Sequence, residues 1–494
     1  MKKSLFMLAL AGSLVLGTAL TPAFAAARTD ATIGLVLEPP NLDPTAGAAA
    51  AIDEVVYANV FEGLTRFAPD GSVTPALAKS WDISADGLTY TFHLNAGVKF
   101  HDGSDLTADD VKFSFDRAVA ADSTNAQKAL FADIKSTDVV DPLTVTLTLA
   151  KPNGNLLFNL AWGDAVIVAP ESAATNATKP VGTGPFVFKD WVQGDHVSLE
   201  KNPAYWGTPV KLDKATFKFI GDPTAASAAL LAGDVDAFPN FPAPEALEQF
   251  KSNPEFRVVV GSTEGETILA INNEHITDVR VRQAIAHAID RQAIIDGAMF
   301  GYGTPIGTHF APHNPDYVDL TAQSAYDPDL SKKLLAEAGV TDLTLTLKLP
   351  PVEGYARRGG EIIAQELAAV GIKTTVTNVE WAQWLSEVFS DKNYDLTIVS
   401  HTEPLDIGIY ARDDYYFGYH SDAFKKVIAD LDNSTDPAKR SELFKAAQKQ
   451  IADDYVNAFL FELAKVGVER AKLHGLWENA PTQATDLTAV YWDE

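Results

Sequence analysis

The chain has 494 residues and carries 66 Asp and Glu against 39 Lys and Arg, which gives a formal net charge of −27 at pH 7. This acidity, without any basic stripe, argues against a nucleic-acid partner and against binding to an anionic membrane surface. The chain contains no cysteine, which excludes disulfides, thiol nucleophiles and thiolate metal sites.

The amino-terminal residues have the pattern of a secretory signal peptide. Lys2-Lys3 is a short positive region, Leu5 to Leu20 is an apolar run, and Ala23-Phe24-Ala25 has the small-x-small form of a cleavage site. A membrane anchor, the alternative, needs about 20 apolar residues, and this run is shorter. No cysteine lies near the cut to carry a lipid. We therefore expect residues 1–25 to be removed and the mature protein to be free in a Gram-negative periplasm.

Residues 28–179 begin with a strand and a helix and then read mostly as strands and turns. A strand is predicted from Ile33 to Leu37 and a helix from Asp53 to Phe61. Apolar and polar residues alternate over 88–94, which predicts a strand with one buried face. A helix from Ala108 to about Ala121 interrupts the strands. The pattern predicts a β-rich unit with a single long helix.

From about residue 266 the pattern changes to alternating helices and strands. Helices between strands indicate βαβ units and a partly parallel sheet, which binds ligands at the carboxyl ends of its strands. The predicted helices lie at 278–295, 331–338, 357–370, 422–430 and 438–453, and the predicted strands at 343–349, 373–377 and 394–400.

No catalytic or cofactor motif is present. The sequence lacks G-x-S-x-G, H-E-x-x-H, a Walker loop and G-x-G-x-x-G after a strand. His309 and His313 are four residues apart, but Pro312 between them argues against a shared helical face. The sequence therefore predicts neither an enzyme nor a cofactor, and a secreted hydrolase is the weakest of the alternatives.

Seven segments, in order along the chain, carry a family resemblance. They are NLDPT (41–45), the long run from VFEGLTRF to FSFDRA (60–118), GTGPF (182–186), KNPAYWG (201–207), GDVDAF (233–238), NNEHITDVRVRQAIAHAIDR (272–291) and YDPDLSKKLLAEAG (326–339). Together they resemble the family-5 solute-binding proteins of ABC importers, the group that includes oligopeptide, dipeptide and nickel binders. The segments span nearly the whole mature chain.

The resemblance implies an α/β fold of the two-lobe, type II periplasmic-binding-protein class, which closes like a flytrap and has an extra β-rich domain. The implied hinge lies where the chain crosses between lobes, near residues 265 and 467. The resemblance also implies a monomer that binds a small molecule or peptide and docks on a permease with ATPase subunits. The implied divisions are domain I at 28–62, 180–265 and 468–494, domain II at 63–179, both in lobe one, and domain III at 266–467, which is lobe two.

The resemblance does not fix the ligand, because the family spans peptides, nickel chelates, haem, opines and sugars. A peptide is the expected ligand, and Glu403 is its expected anchor. In peptide-binding members an Asp-Pro after the equivalent strand holds the α-ammonium, and Glu403-Pro404 occupies the matching place here. Asp406 is the next carboxylate.

The remaining predicted ligand contacts are mostly aromatic. Aromatic rings would also suit a sugar or an opine, which is the second choice, while nickel and haem are less favoured because His401 is the one histidine predicted near the cleft. For Trp384 and its neighbour Trp381, core packing is the alternative role. The other predicted contacts are His401, Tyr410, Arg412, Tyr416, Trp384 and Tyr355.

Overall fold

The computed structural model of the protein describes residues 28–47 and 49–493. The predicted signal peptide at 1–25 lies outside the described residues. Within the described ranges, no helix combines the length and the apolar character that a bilayer crossing requires.

Short and long strands alternate along the described chain. The strands are β1 (Asp30–Leu35), β2 (Thr65–Phe67), β3 (Val73–Pro75), β4 (Ala78–Ile83), β5 (Thr89–Leu94), β6 (Ile134–Asp141), β7 (Thr144–Leu149), β8 (Phe186–Val192), β9 (His196–Lys201), β10 (Lys214–Phe219), β11 (Ala237–Phe238), β12 (Phe256–Ile271), β13 (Thr304–Pro305), β14 (Leu343–Leu349), β15 (Ile372–Asn378), β16 (Leu396–His401), β17 (Asn457–Arg470), β18 (Leu473–His474) and β19 (Tyr491–Trp492).

The longer helices concentrate in the second half of the chain. The α-helices are α1 (Ala50–Val56), α2 (Ala108–Val119), α3 (Leu156–Asn159), α4 (Pro223–Ala232), α5 (Leu247–Lys251), α6 (Val279–His287), α7 (Arg291–Ala298), α8 (Pro328–Glu337), α9 (Gly359–Ala369), α10 (Trp381–Trp384), α11 (Asp422–Asp432) and α12 (Pro437–Asp453). Two π-helical segments, Glu353–Arg358 and Leu385–Ser390, precede α9 and follow α10, respectively.

One eleven-stranded sheet runs through both lobes, in the order β15-β14-β16-β12-β17-β11-β1-β10-β9-β8, with β13 paired to β17. Its two longest strands, β12 and β17, pair antiparallel along most of their length and link the lobes. Their register breaks between Ser262 and Glu266, close to the predicted crossing near residue 265. The α/β two-lobe fold is confirmed by the solved structures compared below, whereas the domain boundaries stay predictions.

A separate four-stranded antiparallel sheet, in the order β4-β5-β7-β6, forms the β-rich unit. The predicted alternation holds on β5, where Tyr90, Phe92 and Leu94 are buried. Helix α2 starts with a capping box, in which the Asp110 carboxylate accepts from the Thr107 backbone N–H at 2.8 Å. Turns, caps and packing account for the residues of this unit.

The two ends of the described chain meet in lobe one. The Arg28 guanidinium lies over the Trp492 ring at 4.5 Å, and the Trp492 indole N–H donates to the Asp30 carbonyl at 2.8 Å. Leu487 and Val490 are buried in the same core as β1. The last residues of the chain therefore complete the core around its first strand.

Two predicted helices differ from the structure in their bounds. The helix predicted at 278–295 is two helices, because the Asp290 side chain caps a new start and accepts from the N–H groups of Gln292 and Ala293. The helix predicted from residue 53 to 61 instead ends at Val56. Ala58 then takes a left-handed φ of +57°, which a continuing helix cannot accommodate.

Candidate functional site

A cavity of about 270 Å³ lies between the two lobes, where β12 and β17 cross. A second cavity of about 520 Å³ adjoins it, shares Asn240, Thr263 and Lys465, and extends to Phe300 and Arg358. Both lobes contribute to the first cavity, which is lined by Glu54, Trp162, Asn240 and residues 480–484 from lobe one, by Thr402 and Pro404 from lobe two, and by Thr263, Glu264, Gly265, Leu463 and Lys465 from the crossing strands.

The lobe-two side of this cavity is a loop at the carboxyl end of β16. Strand β16 pairs with β14 in parallel and with β12 antiparallel, so its end lies in the middle of the sheet. Thr402 and Pro404 line the cavity, and Glu403 between them is exposed and forms no ion pair among the described residues. Leu405 takes a left-handed φ of +59°, a strained conformation for a residue with a side chain.

A relay of hydrogen bonds fixes Asp406 behind this loop. His309 Nε2 lies 2.6 Å from Asp406 Oδ1, and the Tyr410 hydroxyl lies 3.2 Å from His309 Nδ1. Burial raises the pKa of Tyr410 well above its usual value, so the hydroxyl keeps its proton and donates to Nδ1. Asn457 donates to the same hydroxyl at 3.2 Å. His309 therefore donates from Nε2, which holds the Asp406 carboxylate in place.

His401, the last residue of β16, is buried beside this relay. Its Nε2 lies 3.0 Å from the Tyr416 hydroxyl, and its Nδ1 lies 3.9 Å from Asp406 Oδ2. No other hydrogen bond reaches Nδ1 from the described residues. Burial lowers the pKa of His401 to about 4, so the imidazole is neutral near pH 7.

Two more carboxyl groups lie buried on the crossing strands. Glu266 of β12 is in register with both Glu462 of β17 and His401 of β16, which places the three side chains in one row. Among the described residues, both oxygens of Glu462 and Oε2 of Glu266 are buried without a hydrogen-bond partner. The nearby Thr263 hydroxyl and Gly265 N–H are already used, because the first donates to Leu463 and the second to Thr263. Burial and mutual repulsion raise the pKa of both glutamates well above the usual value.

A buried lysine lies on the opposite side of the first cavity. The Lys465 ammonium donates to the Trp477 carbonyl, and burial lowers the pKa of Lys465 to about 8. Glu264, which also lines the cavity, is paired with His313 at 2.6 Å. Glu54, a third ionisable residue of the lining, accepts from the Asn240 amide at 3.2 Å. Glu403 is an exposed carboxylate between the lining residues Thr402 and Pro404.

Several predicted contacts are placed in the core of lobe two. Tyr410 and Tyr416 are buried within one hydrophobic cluster, and Trp384 joins them and donates from its indole N–H to Thr397 Oγ1 at 2.9 Å. Tyr410 and Tyr416 support His309 and His401 from behind. The predicted direct contact of these three rings with ligand stays a prediction, since none presents surface to the cavity in this conformation.

The two remaining predicted contacts have partners of their own outside the group of His401, Glu403 and Asp406. Arg412 is exposed, pairs with Asp414 at 3.1 Å and stacks on Tyr415. Tyr355 is half-buried on the first π-helical segment and packs against the other core of lobe two. The structure thus brings His401, Glu403 and Asp406 together and leaves Arg412 and Tyr355 outside that group.

Sequence reasoning missed His309, Glu266, Glu462 and the lobe-one wall. A usable signal existed for Glu462, which is a charged residue inside the apolar run of β17, whereas Glu266 lies in a polar stretch of β12. No local signal marks residues 480–484, because their place in the cavity follows from how the end of the chain returns to lobe one.

A family model and curated relatives match most of the chain. The model described as bacterial extracellular solute-binding proteins, family 5, matches residues 72–417. The glutathione-binding protein GsiB of Pectobacterium atrosepticum is 34% identical over 481 residues, with 91% of this chain and 92% of that protein covered. Di/tripeptide-binding protein 1 of Pseudomonas aeruginosa is 30% identical, with 83% and 84% covered.

Solved structures match the fold of this chain. The unliganded open form of the murein tripeptide binding protein MppA superposes with a TM-score of 0.86 at 22% identity, over 94% of this chain and 97% of that one. The TM-score is 0.72 for DppA of Helicobacter pylori in complex with peptide STSA, at 25% identity, with 95% of this chain and 99% of that one covered. The TM-score is 0.71 for AgaA of A. tumefaciens in complex with agropinic acid, at 25% identity, with 94% of this chain and 100% of that one covered.

The sequence matches, the fold and the cavity between the lobes all support the same family assignment. The chain belongs to family 5 of the bacterial extracellular solute-binding proteins, the solute-binding components of ABC importers.

Proposed function

We propose that the protein captures a short peptide by its amino terminus in the periplasm and delivers it to the permease of an ABC importer. The observation that carries this proposal is Glu403, an exposed carboxylate without an ion pair among the described residues, which lies between Thr402 and Pro404 of the inter-lobe cavity. A peptide ammonium is the complementary group, and a charge-assisted hydrogen bond to it is stronger than a neutral one. The peptide and glutathione binders among the relatives support the same ligand class.

Closure of the lobes would convert this contact into selective capture. A ligand stabilises the closed form only by the difference between its affinities for the closed and open forms. Thr402 and Pro404, on either side of Glu403, line the cavity from lobe two, and Glu54, Trp162 and Asn240 line it from lobe one. A peptide held at Glu403 and touching this wall would therefore draw the lobes together. The two adjoining cavities are of a size that ligand sites commonly have.

The remaining parts of the proposal concern setting and partners. The mature protein would be a soluble periplasmic monomer without a lipid anchor, since no cysteine is present to carry one. It would bind its ligand without transforming it, and its closed form would dock on the permease and ATPase subunits. A sugar or an opine is the alternative ligand. That alternative depends on aromatic rings that reach the ligand. Tyr410, Tyr416 and Trp384 are buried, whereas Trp162 and Phe300 line the two cavities.

Mass spectrometry of the compound that co-purifies from the native host tests the ligand class. We expect a peptide with a free amino terminus, and its N-acetylated form should bind far more weakly in calorimetric titration because the ammonium is lost. Equal affinity of the two forms would exclude amino-terminal capture. A co-purified opine or sugar would replace the peptide proposal with the alternative.

A further inference from the structure

His401, Glu403 and Asp406 form a compact set of potential metal ligands at the end of β16. One ligand atom from each of the three residues lies within 4.8 Å of the others, and no second such group of three occurs within the described ranges. The chain spacing is short, with one residue between the first two and two residues between the last two. The left-handed turn at Leu405 folds Asp406 back towards His401.

The buried histidine of this set has a free nitrogen directed at the carboxylates. His401 is 8% exposed, and its Nδ1 makes no hydrogen bond among the described residues while lying 3.9 Å from Asp406 Oδ2. Its Nε2 is engaged by the Tyr416 hydroxyl at 3.0 Å. With the proton on Nε2, the Nδ1 lone pair points into the group.

Outer hydrogen bonds hold both inner ligands, as is usual around metal ligands. Tyr416 fixes the ring of His401, and His309 fixes Asp406 through its 2.6 Å bond to Oδ1, which leaves Oδ2 free. Glu403 is exposed and held only by a 3.3 Å hydrogen bond from the Thr402 N–H, so it can complete a set whose other two members are fixed.

We propose that His401, Glu403 and Asp406 bind one divalent transition-metal ion, with Nδ1 and two carboxylate oxygens as ligands and an open coordination face towards the inter-lobe cavity. One imidazole nitrogen and two carboxylate oxygens suit zinc or nickel better than magnesium, which prefers oxygen ligands throughout. Two carboxylates and a neutral imidazole carry a charge of −2, which a divalent ion neutralises. Tetrahedral bonds of about 2.1 Å separate ligand atoms by about 3.4 Å, so the loop contracts by roughly 1 Å on binding.

The open face lies towards Thr402 and Pro404, which line the cavity. The amine or carboxylate of a bound ligand would complete the coordination there, and this last step rests on the proposed function. Metal binding itself does not rest on the proposed function, because it requires no organic ligand.

Calorimetric titration of chelator-treated protein with Zn²⁺ alone tests the site. We expect one ion per chain, and affinity roughly 10- to 100-fold lower in Asp406→Asn and in Glu403→Gln. His401→Ala should lose more, and circular dichroism establishes that it folds. If His401→Ala does not fold, the Glu403→Gln variant still tests the site, because Glu403 is exposed. Titration with Co²⁺ adds a visible spectrum that reports nitrogen and oxygen coordination and should vanish in the same variants.

Two control variants match the test in charge and chemistry. Glu361 is exposed on α9, and His420 is exposed beside Glu274 and Asp413. Glu361→Gln and His420→Asn should bind Zn²⁺ as the wild type does. Unchanged affinity in the Glu403 and Asp406 variants, or a loss confined to His420→Asn, would overturn the proposal. A peptide titration in the presence of chelator, beside the Zn²⁺ titration in its absence, separates the two ideas. Peptide binding can fail in the first experiment while Zn²⁺ binding persists in the second.

Discussion

Glu403→Gln is the substitution that isolates the proposed ammonium contact. It removes one negative charge from beside the cavity and keeps the size of the side chain. Glu403 is exposed and has no ion pair among the described residues, so the folded form loses nothing by the change. The unfolding free energy should therefore stay within about 0.5 kcal/mol of wild type.

The size of the effect on binding follows from what closure does to this side chain. Closure brings the lobe-one wall of Glu54, Trp162 and Asn240 over the ligand, and none of these supplies a cation for Glu403. The ligand ammonium is then its partner in a partly desolvated contact. Losing one partner of such a pair costs about 2 to 5 kcal/mol. We expect the lower end, about 2 to 3 kcal/mol, because the loop is exposed before closure, which corresponds to a roughly 30- to 150-fold weaker Kd.

Calorimetry with the co-purified ligand, in chelator, measures this difference, and Asp406→Asn is the matched comparison. Asp406 already accepts a hydrogen bond from His309, and the Asn oxygen can accept it too. Its substitution should therefore weaken binding less than that of Glu403. Affinity within about twofold of wild type for Glu403→Gln, together with a large loss for Asp406→Asn, would transfer the anchor role to Asp406. If neither change matters, the ligand carries no amine and the reasoning fails.

Three further predictions concern closure, stability and processing. Small-angle scattering should show a smaller radius of gyration when ligand is added, and no change with a tight ligand would contradict the two-lobe mechanism. Burial raises the pKa of Asp164 from 3.8 to about 7, so the folded state binds this proton more tightly, and stability is lost as pH rises from about 4 to 7. Asp164→Asn should therefore stabilise by up to about 4 kcal/mol at pH 8 and about 2 at pH 5, and equal gains in urea unfolding at both pH values would refute this origin. Intact-mass measurement of periplasmic extract should give a mature chain that starts at Ala26 or Arg28, and a retained leader would contradict the predicted cleavage.

The parts of the fold predicted well from sequence are those specified by local signals. Gly339 and Gly371 end their helices with φ of +74° and +95°, as their positions predict. Strand β14 coincides with the predicted range, because its alternating leucines and threonines leave no competing pattern. The helix at 278–295 was misread because an apolar stripe continues across a break that a single capping side chain creates.

The site was less accessible to sequence reasoning, for a physical reason. The loop after β16 could be found from the direction of a strand, and it holds Glu403 and Asp406. Whether an aromatic ring faces the cleft or the core depends on packing from distant elements, and Trp384 and Tyr416 are both buried by such packing. The partners of Asp406 lie far away in the chain, with His309 97 residues before it. Such pairings are set by topology, which local patterns do not encode.

The meeting of the two chain ends in lobe one has a consequence for translocation. Strand β1 pairs with β10 and β11, and its core is closed by Leu487 and Val490. The amino-terminal lobe therefore cannot finish folding until the final residues have emerged on the far side of the membrane. Contacts of such long sequence separation also form slowly. This connectivity keeps the amino-terminal lobe incomplete throughout its passage, which suits a secretion channel that accepts only unfolded polypeptide.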